Sequence, residues 1–217
     1  RDHEIIKKVG QRIGEQERLL GIHMSFSPVA DINTNPLNPI IGNRSFGENP
    51  HKVAKQAIAL MEGHHQAGIL TSAKHFPGHG SATGDTHAGF VDVTDTWQED
   101  ELLPYSALIK DGLCSIIMTA HVIHRKFDAM HPATISKYII PKLLRKNMGF
   151  NGLVFTDDMQ MKAISDHYGI KEALKMGLNA GVDMFCFGNN LLPNPAKLSD
   201  LVSTVEQLIE EGLINEN

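Results

Sequence analysis

The sequence lacks the features that mark membrane-spanning or nucleic-acid-binding chains. Its longest apolar runs, such as residues 184–187, are far shorter than the roughly 20 residues that a membrane helix needs. The net charge is -5, and no basic stripe of the kind that binds a phosphate backbone is present. We therefore expect no membrane span and no nucleic-acid partner.

Cysteine is also scarce, with two residues in the chain. Cys114 and Cys186 each lie in an apolar run, which favours buried thiols over a disulfide or a metal-binding pair. No signal peptide is visible, but the chain opens at Arg1 in what reads as the middle of a helix, so the sequence makes no prediction of localisation.

What remains is typical of one globular domain over residues 1–217, with 41% hydrophobic and 21% charged residues. Helical stretches that end near a glycine alternate with short apolar runs and polar loops, a rhythm that predicts βα units on a parallel sheet buried on both sides. The clearest helix starts at Asn49 and Pro50, a typical N-cap followed by a first-turn proline. A later amphipathic helix is predicted from Leu198 to Glu211. The predicted strands are 24–29, 69–73, 115–119, 152–155 and 182–187.

Reactive side chains follow the carboxyl ends of these predicted strands. In a (β/α) barrel those ends form the active-site rim; an open doubly wound sheet would also bind ligands there, but no Gly-rich phosphate fingerprint is present. Five strands are too few for a closed barrel of eight. We therefore predict an α/β fold, a (β/α)8 TIM-type barrel that is incomplete at the N-terminus. The residues at the rim are Asp31, Lys74, His75, His121, Asp157 and Asn189.

Two adjacent carboxylates, Asp157 and Asp158, close the fourth predicted strand. Side chains alternate along a strand, so one of the two is expected to face the barrel axis while the other bonds locally. The alternative is that both cap a helix that starts near Met159.

The segment 74–87 breaks regular structure with glycine and proline and crowds titratable groups together. Asp85 and His87 are two residues apart, so a turn would let the carboxylate accept a hydrogen bond from the imidazole and fix its tautomer. This pair is a candidate for proton transfer.

Six motifs in order along the chain resemble those of the family-three glycoside hydrolases. They cover nearly the whole sequence, and the KHFPGHG string with a following Asp-x-His resembles the β-N-acetylglucosaminidase branch. The motifs are residues 26–31, 41–47, 74–80, 118–122, 132–136 and 155–159.

The resemblance implies a retaining glycosidase, a β-N-acetylhexosaminidase, without cofactor or metal. It implies that Asp157 is the nucleophile and that His87, with Asp85 as its partner, is the acid/base. The implied substrate is an N-acetylglucosaminide, for which peptidoglycan and chitin fragments are candidate sources.

The resemblance also implies contacts to sugar hydroxyls from Arg44, Lys74 and His75, side chains suited to charged hydrogen bonds. Three further rim residues are expected either to support the loops or to touch sugar: Asp31, His121 and Asn189.

The chain departs from the branch at two places. Ser81 and Ala82 stand where Asp-Thr is common, and Thr86 replaces the commoner Ser, which puts loop motion and aglycone preference in doubt. The upstream Asp-Gln-Glu-Gly-Gly segment is not in this sequence, nor are the first strands. We therefore expect the fragment alone to self-associate through its open sheet edge.

Other functions stay open at this point. A zinc-dependent barrel hydrolase could draw its ligands from His75, His79, His87, His121 and Asp157. A non-catalytic sugar-binding fragment is a second alternative. Within the family, β-glucosidase or β-xylosidase activity and phosphorolysis are also open, since an imidazole does not repel phosphate as a carboxylate would.

Overall fold

The computed structural model describes residues 2–189 and 195–214. The helices are α1 (Asp2–Leu19), α2 (Pro50–Gln66), α3 (Leu103–Lys110), α4 (Lys162–Ser165), α5 (Ile170–Ala180) and α6 (Leu198–Glu210), with a π-helix over Ile139–Asn147 and 3-10 turns at Gly42–Arg44, Glu99–Leu102 and Ala133–Ile135. The strands are β1 (Met24–Ser25), β2 (Leu70–Phe76), β3 (Val91–Asp92), β4 (Ile116–Thr119), β5 (Val122–Ile123), β6 (Leu153–Asp158) and β7 (Met184–Cys186).

Five strands form one curled, wholly parallel sheet in the order β1-β2-β4-β6-β7. Helices connect successive strands, as parallel neighbours require. The fold is therefore the predicted (β/α) barrel in incomplete form. The short parallel pair β3–β5 was not predicted, because its two strands are distant in sequence. The π-helix was not predicted either.

The main core lies between the sheet and its helices. Ile117 and Val154 are paired in register and fully buried there, and the ring of Phe76 meets that of Tyr105 edge-on, with centroids 5.3 Å apart. Such aromatic pairs contribute beyond the area they bury.

The expectation that the strands are buried on both sides is wrong for the other face of the sheet. The strand starts at Leu70, Leu153 and Met184 are exposed, Leu70 by 50%. They share this face with a smaller apolar cluster that includes Ile116 and Phe155. The described residues cover the helix-facing side of the sheet more completely than this inner side.

The first strand is shorter than predicted. Regular pairing is confined to Met24–Ser25, although hydrogen bonds to β2 continue as far as Ala30, whose N–H donates to the Lys74 carbonyl over 2.7 Å. Pro28 has no N–H to give to a ladder, so the strand becomes irregular there.

The predicted helix signals are confirmed. The Asn49 side chain accepts the Lys52 N–H over 3.0 Å, and Pro50 occupies the first turn of α2. The last predicted helix matches α6 to within one residue.

Both cysteines are free thiols, as predicted, but they are half-buried rather than fully buried. Burial raises the pKa of Cys114 to about 12 and that of Cys186 to about 11. Neither thiol ionises near neutral pH. Within residues 2–189 and 195–214, no helix is long and apolar enough to cross a membrane.

Candidate active site

A cleft of about 120 Å³ opens at the carboxyl ends of β2 and β6. Of the residues singled out from sequence, the structure brings five together here: Arg44, Lys74, His75, His87 and Asp157. Three further residues complete the lining: Ile40, His79 and Thr86.

Asp157 lies at the end of β6 with 25% of its side chain exposed to the cleft. Its Oδ1 accepts the Asp158 N–H over 2.9 Å, and its Oδ2 is 3.9 Å from His75 Nε2. Burial acts to raise the pKa of Asp157, but His75, the Asp158 N–H and Lys74 outweigh it and lower the pKa. The cleft therefore holds an ionised carboxylate at neutral pH.

Asp158 behaves as the alternation of strand side chains predicts. Its Oδ1 accepts the Gln160 N–H over 2.9 Å, so this carboxylate is used locally. The alternative of a double helix cap is wrong, because α4 begins after Met161 and has no side-chain cap.

His75 is held from behind by Asp31. The imidazole Nδ1 is 2.7 Å from Asp31 Oδ2, and the backbone N–H groups of His75 and His79 also donate to this carboxylate. Asp31 is fully buried; burial acts to raise its pKa, and these partners lower it. Its oxygens face protein and do not line the cleft.

His87 and Asp85 form the pair expected from their spacing. Asp85 Oδ1 accepts both the His87 N–H and a bond from His87 Nδ1, each over 2.8 Å. The His87 side chain is 47% exposed. With Nδ1 committed to Asp85, Nε2 is the ring nitrogen available to a substrate.

The segment that carries His87 docks on the region after β6. The Ala163 N–H donates to the Thr86 carbonyl over 3.2 Å. The rings of Phe90 and His167 stack with centroids 3.6 Å apart. These contacts hold the histidine beside the nucleophile candidate.

Two cationic side chains, Lys74 and Arg44, line the same cleft. Burial and the charge of Arg44 lower the pKa of Lys74, while Asp157 and Asp31 act in the opposite direction. These donors suit polar oxygen-rich ligands such as sugars.

His121 and Asn189 lie outside the cleft lining. His121 is fully buried, its Nδ1 2.7 Å from Thr134 Oγ1 and its Nε2 3.0 Å from the Asp158 carbonyl oxygen. The Asn189 side chain bonds Gln160 and the Ala196 backbone.

The cleft also contains residues that sequence reasoning did not assign to the site. His79 is buried and its Nε2 lies 3.2 Å from Thr86 Oγ1; burial lowers the pKa of His79 and favours its neutral form. The density of histidines around the glycines of residues 74–87 was the available signal for His79. Ile40 gave no such signal.

Comparison with known proteins decides the family. Residues 1–217 match the glycosyl hydrolase family 3 N-terminal domain. The chain belongs to this family. Among curated relatives, it is 38% identical over 191 residues to beta-hexosaminidase A of Pseudoalteromonas piscicida, covering 82% of this chain and 32% of the relative. It is 40% identical over 172 residues to a beta-hexosaminidase of Tolumonas auensis, covering 78% and 51%.

Solved structures give the same family. A family 3 beta-N-acetylglucosaminidase from Paenibacillus sp. matches with a TM-score of 0.91 and 34% identity over 99% of this chain and 40% of that one. Zn-bound CbsA from Thermotoga neapolitana matches with a TM-score of 0.90 and 32% identity, covering 99% and 46%. The family 3 chain spans about a third to a half of the length of these curated relatives.

The described portion of this family 3 chain contains no group of three or more His, Cys, Asp and Glu side chains arranged to hold a metal ion. His75 is committed to Asp31, and His87 to Asp85. His79 contacts the Thr86 hydroxyl, and His121 contacts Thr134 and the Asp158 carbonyl, so each of the four histidines that suggested a zinc-dependent hydrolase has its own protein partner.

Proposed function

We propose that the protein acts as a retaining glycosidase that releases terminal β-linked N-acetylglucosamine. One observation carries the proposal: an ionised carboxylate, Asp157, and a carboxylate-paired imidazole, His87, line the same cleft. These are the two groups that a double-displacement mechanism needs.

In the first step, Asp157 attacks the anomeric carbon while the glycosidic bond breaks. Protonated His87 donates its Nε2 proton to the departing oxygen, and Asp85 stabilises the imidazolium before transfer. In the second step, neutral His87 takes a proton from water, the water oxygen bonds to the anomeric carbon, and the bond to Asp157 breaks. The two inversions give net retention.

The surrounding residues would orient the sugar and the reacting groups. Arg44, Lys74 and His75 are proposed to donate hydrogen bonds to sugar hydroxyls. Asp31 is proposed to fix the His75 ring, and His121 to support the backbone at Asp158, so both act behind the surface that meets substrate. Asn189 is proposed to hold the loop after β7.

The names of the relatives support this choice of substrate, since beta-hexosaminidases and a beta-N-acetylglucosaminidase are among them. Soluble peptidoglycan or chitin fragments are the natural sources to test. Assays with β-glucosides and β-xylosides test the alternative substrates, and assays with added phosphate as acceptor test phosphorolysis.

The deciding experiment compares Asp157→Ala with His87→Ala in the full-length protein. Asp157→Ala should abolish turnover of every N-acetylglucosaminide. His87→Ala should lose less on a nitrophenyl glycoside than on a disaccharide, because proton transfer contributes roughly 10²–10⁴-fold when the leaving group is poor. Asp166→Asn, a change at an exposed acid, is the control. Equal losses by His87→Ala on both substrates would contradict the acid role.

A further inference from the structure

A buried acid, Glu101, lies directly beneath the root of the segment that carries the proposed acid/base. Glu101 belongs to the 3-10 turn Glu99–Leu102 and is 1% exposed. Its Oε2 is so close to Gly78 that a Cβ at that position would come within 2.5 Å. Gly78 also has φ +127°, a conformation that favours glycine. The carboxylate therefore packs against bare loop backbone.

Neighbouring residues of the same stretch, 97–105, hold the loop root at two more points. Trp97 Nε1 donates to the Pro77 carbonyl over 3.0 Å. The Tyr105 ring packs edge-on against Phe76. We call residues 97–105 the strap, and residues 76–81 the loop root.

Glu101 itself has hydrogen-bonding capacity to spare. The Gln98 N–H reaches its Oε1 at 3.4 Å. Within the residues that the structure describes, neither Glu101 Oε2 nor the Ser81 hydroxyl has a hydrogen-bond partner, and both atoms are buried. The Ser81 side chain is close enough to act on the Glu101 carboxyl, and a bond between this donor and this acceptor would remove the cost of leaving two buried polar groups unpaired.

The surroundings of the Glu101 carboxyl act on its charge in both directions. The pKa of Glu101 is raised to about 7, first by burial and also by the charge of Asp31, although Ser81 and the N–H groups of Gln98 and Gly80 act to lower it. Tyr105 also interacts with Glu101, whose charge, after burial and Asp31, raises the pKa of the phenol.

Movement of the loop root would reach the reacting groups through a short chain of contacts. The His79 N–H donates to Asp31, the carboxylate that also holds His75. His79 Nε2 is bonded to Thr86 Oγ1, and Thr86 immediately precedes His87. Gly80 packs tightly as well, since a Cβ there would meet the Ile32 carbonyl oxygen at 1.8 Å.

We propose that Glu101 is a positioning residue: by bonding the Ser81 hydroxyl from below, it holds the loop root so that His75 and His87 stay aligned with Asp157. Glu101 does not contact the substrate. The inference rests on the proposed function, in which His87 transfers the proton.

The test uses four variants of the full-length protein: Glu101→Ala, Glu101→Gln, Ser81→Ala and the double variant Glu101→Ala/Ser81→Ala. Glu99→Gln, at an exposed position of the same turn, is the matched control. Three readouts are taken: kcat and KM on a disaccharide and on a nitrophenyl N-acetylglucosaminide, the pH profile, and amide hydrogen exchange over residues 76–90.

Glu101→Ala should lower kcat on the disaccharide by about 10- to 100-fold, the scale of a small misplacement of reacting groups. KM should change much less, and hydrogen exchange over residues 76–90 should rise. Ser81→Ala should act in the same direction, and the double variant should be no worse than Glu101→Ala. The glutamine of Glu101→Gln can still accept the Gln98 N–H and donate to the Ser81 hydroxyl. This variant should therefore keep most of the wild-type kcat, and the pH profile of its activity should be flatter near neutrality.

Unchanged kcat with only a lower melting temperature would overturn the proposal, as would unaltered exchange over residues 76–90. Additive losses in the double variant would also overturn it. If Glu101→Ala does not fold, Ser81→Ala is the test, and unchanged kcat with unaltered exchange in that variant would overturn the proposal. Exchange does not depend on turnover, so failure of the proposed function, seen as activity in Asp157→Ala, is distinguishable from failure of this inference.

Discussion

Replacing Glu101 by glutamine should make the protein more stable at alkaline pH and leave it nearly unchanged at pH 4. The wild-type carboxyl has its pKa raised from 4.5 to about 7 in the folded chain, first of all by burial. The folded state therefore binds more protons than the unfolded state between these two values. Stability falls as the pH rises through this window, because the fold must then hold a buried charge.

The size of the effect follows from the shift. A rise in pKa of about 2.5 units at roughly 1.4 kcal/mol per unit corresponds to about 3.5 kcal/mol. Glutamine has a similar shape and no titration, so it avoids this loss. The difference in unfolding free energy between Glu101→Gln and wild type should grow in favour of the variant from pH 4.5 to pH 7 and level off above pH 7.

Denaturant unfolding of the full-length protein at pH 4.5, 6 and 8, followed by circular dichroism, measures this difference. Glu99→Gln removes an exposed acid from the same turn and should show no such growth. A difference between Glu101→Gln and wild type that stays constant across the three pH values would refute the reasoning, because it would mean that the carboxyl is already ionised in the fold at pH 4.5.

Three further predictions test the site and the chain. NMR of the first product should show the retained anomer, and a chelator should leave the rate of cleavage unchanged. Initial formation of the inverted anomer, or loss of activity that zinc restores, would contradict the mechanism. Phe90→Ala and His167→Ala should each raise amide hydrogen exchange over residues 84–90 and lower kcat by about tenfold. A change in KM alone would argue against a role of this aromatic stack in docking the loop. The 217-residue chain by itself should self-associate in light scattering through its exposed apolar face; a compact, active monomer would show that this face needs no cover.

Local rules were enough to predict the parts of the site that depend on neighbours in sequence. Alternation along the strand predicted that only one of the two adjacent carboxylates would face the cleft, and the family resemblance identified it as Asp157; in the structure Asp157 lines the cleft and Asp158 bonds Gln160. A spacing of two residues was enough to pair Asp85 with His87. Parallel strands bring their carboxyl ends to one edge, so Lys74 and Asp157 meet although they are far apart along the chain.

The same rules could not tell which rim residues face substrate. Asp31 follows the first strand and Asp157 lies at the end of β6, yet Asp31 is fully buried because its partner is His75, 44 residues away. His121 is likewise held by Thr134 and by the carbonyl of Asp158. Such pairings depend on how strands lie beside one another, and hydrophobic periodicity carries no information about them.

The strap gives a physical interpretation of the departure of this chain from its branch at residues 81 and 82. Ser81 and Ala82 are both buried, and Ala82 packs in an apolar cluster with Val91 and Val122. An aspartate at position 81 would bring a second carboxylate beside Glu101, and two buried like charges raise each other's pKa. Serine instead offers a hydroxyl that can donate. The departure thus alters how the loop root is held and leaves the atoms of Asp157, Asp85 and His87 untouched.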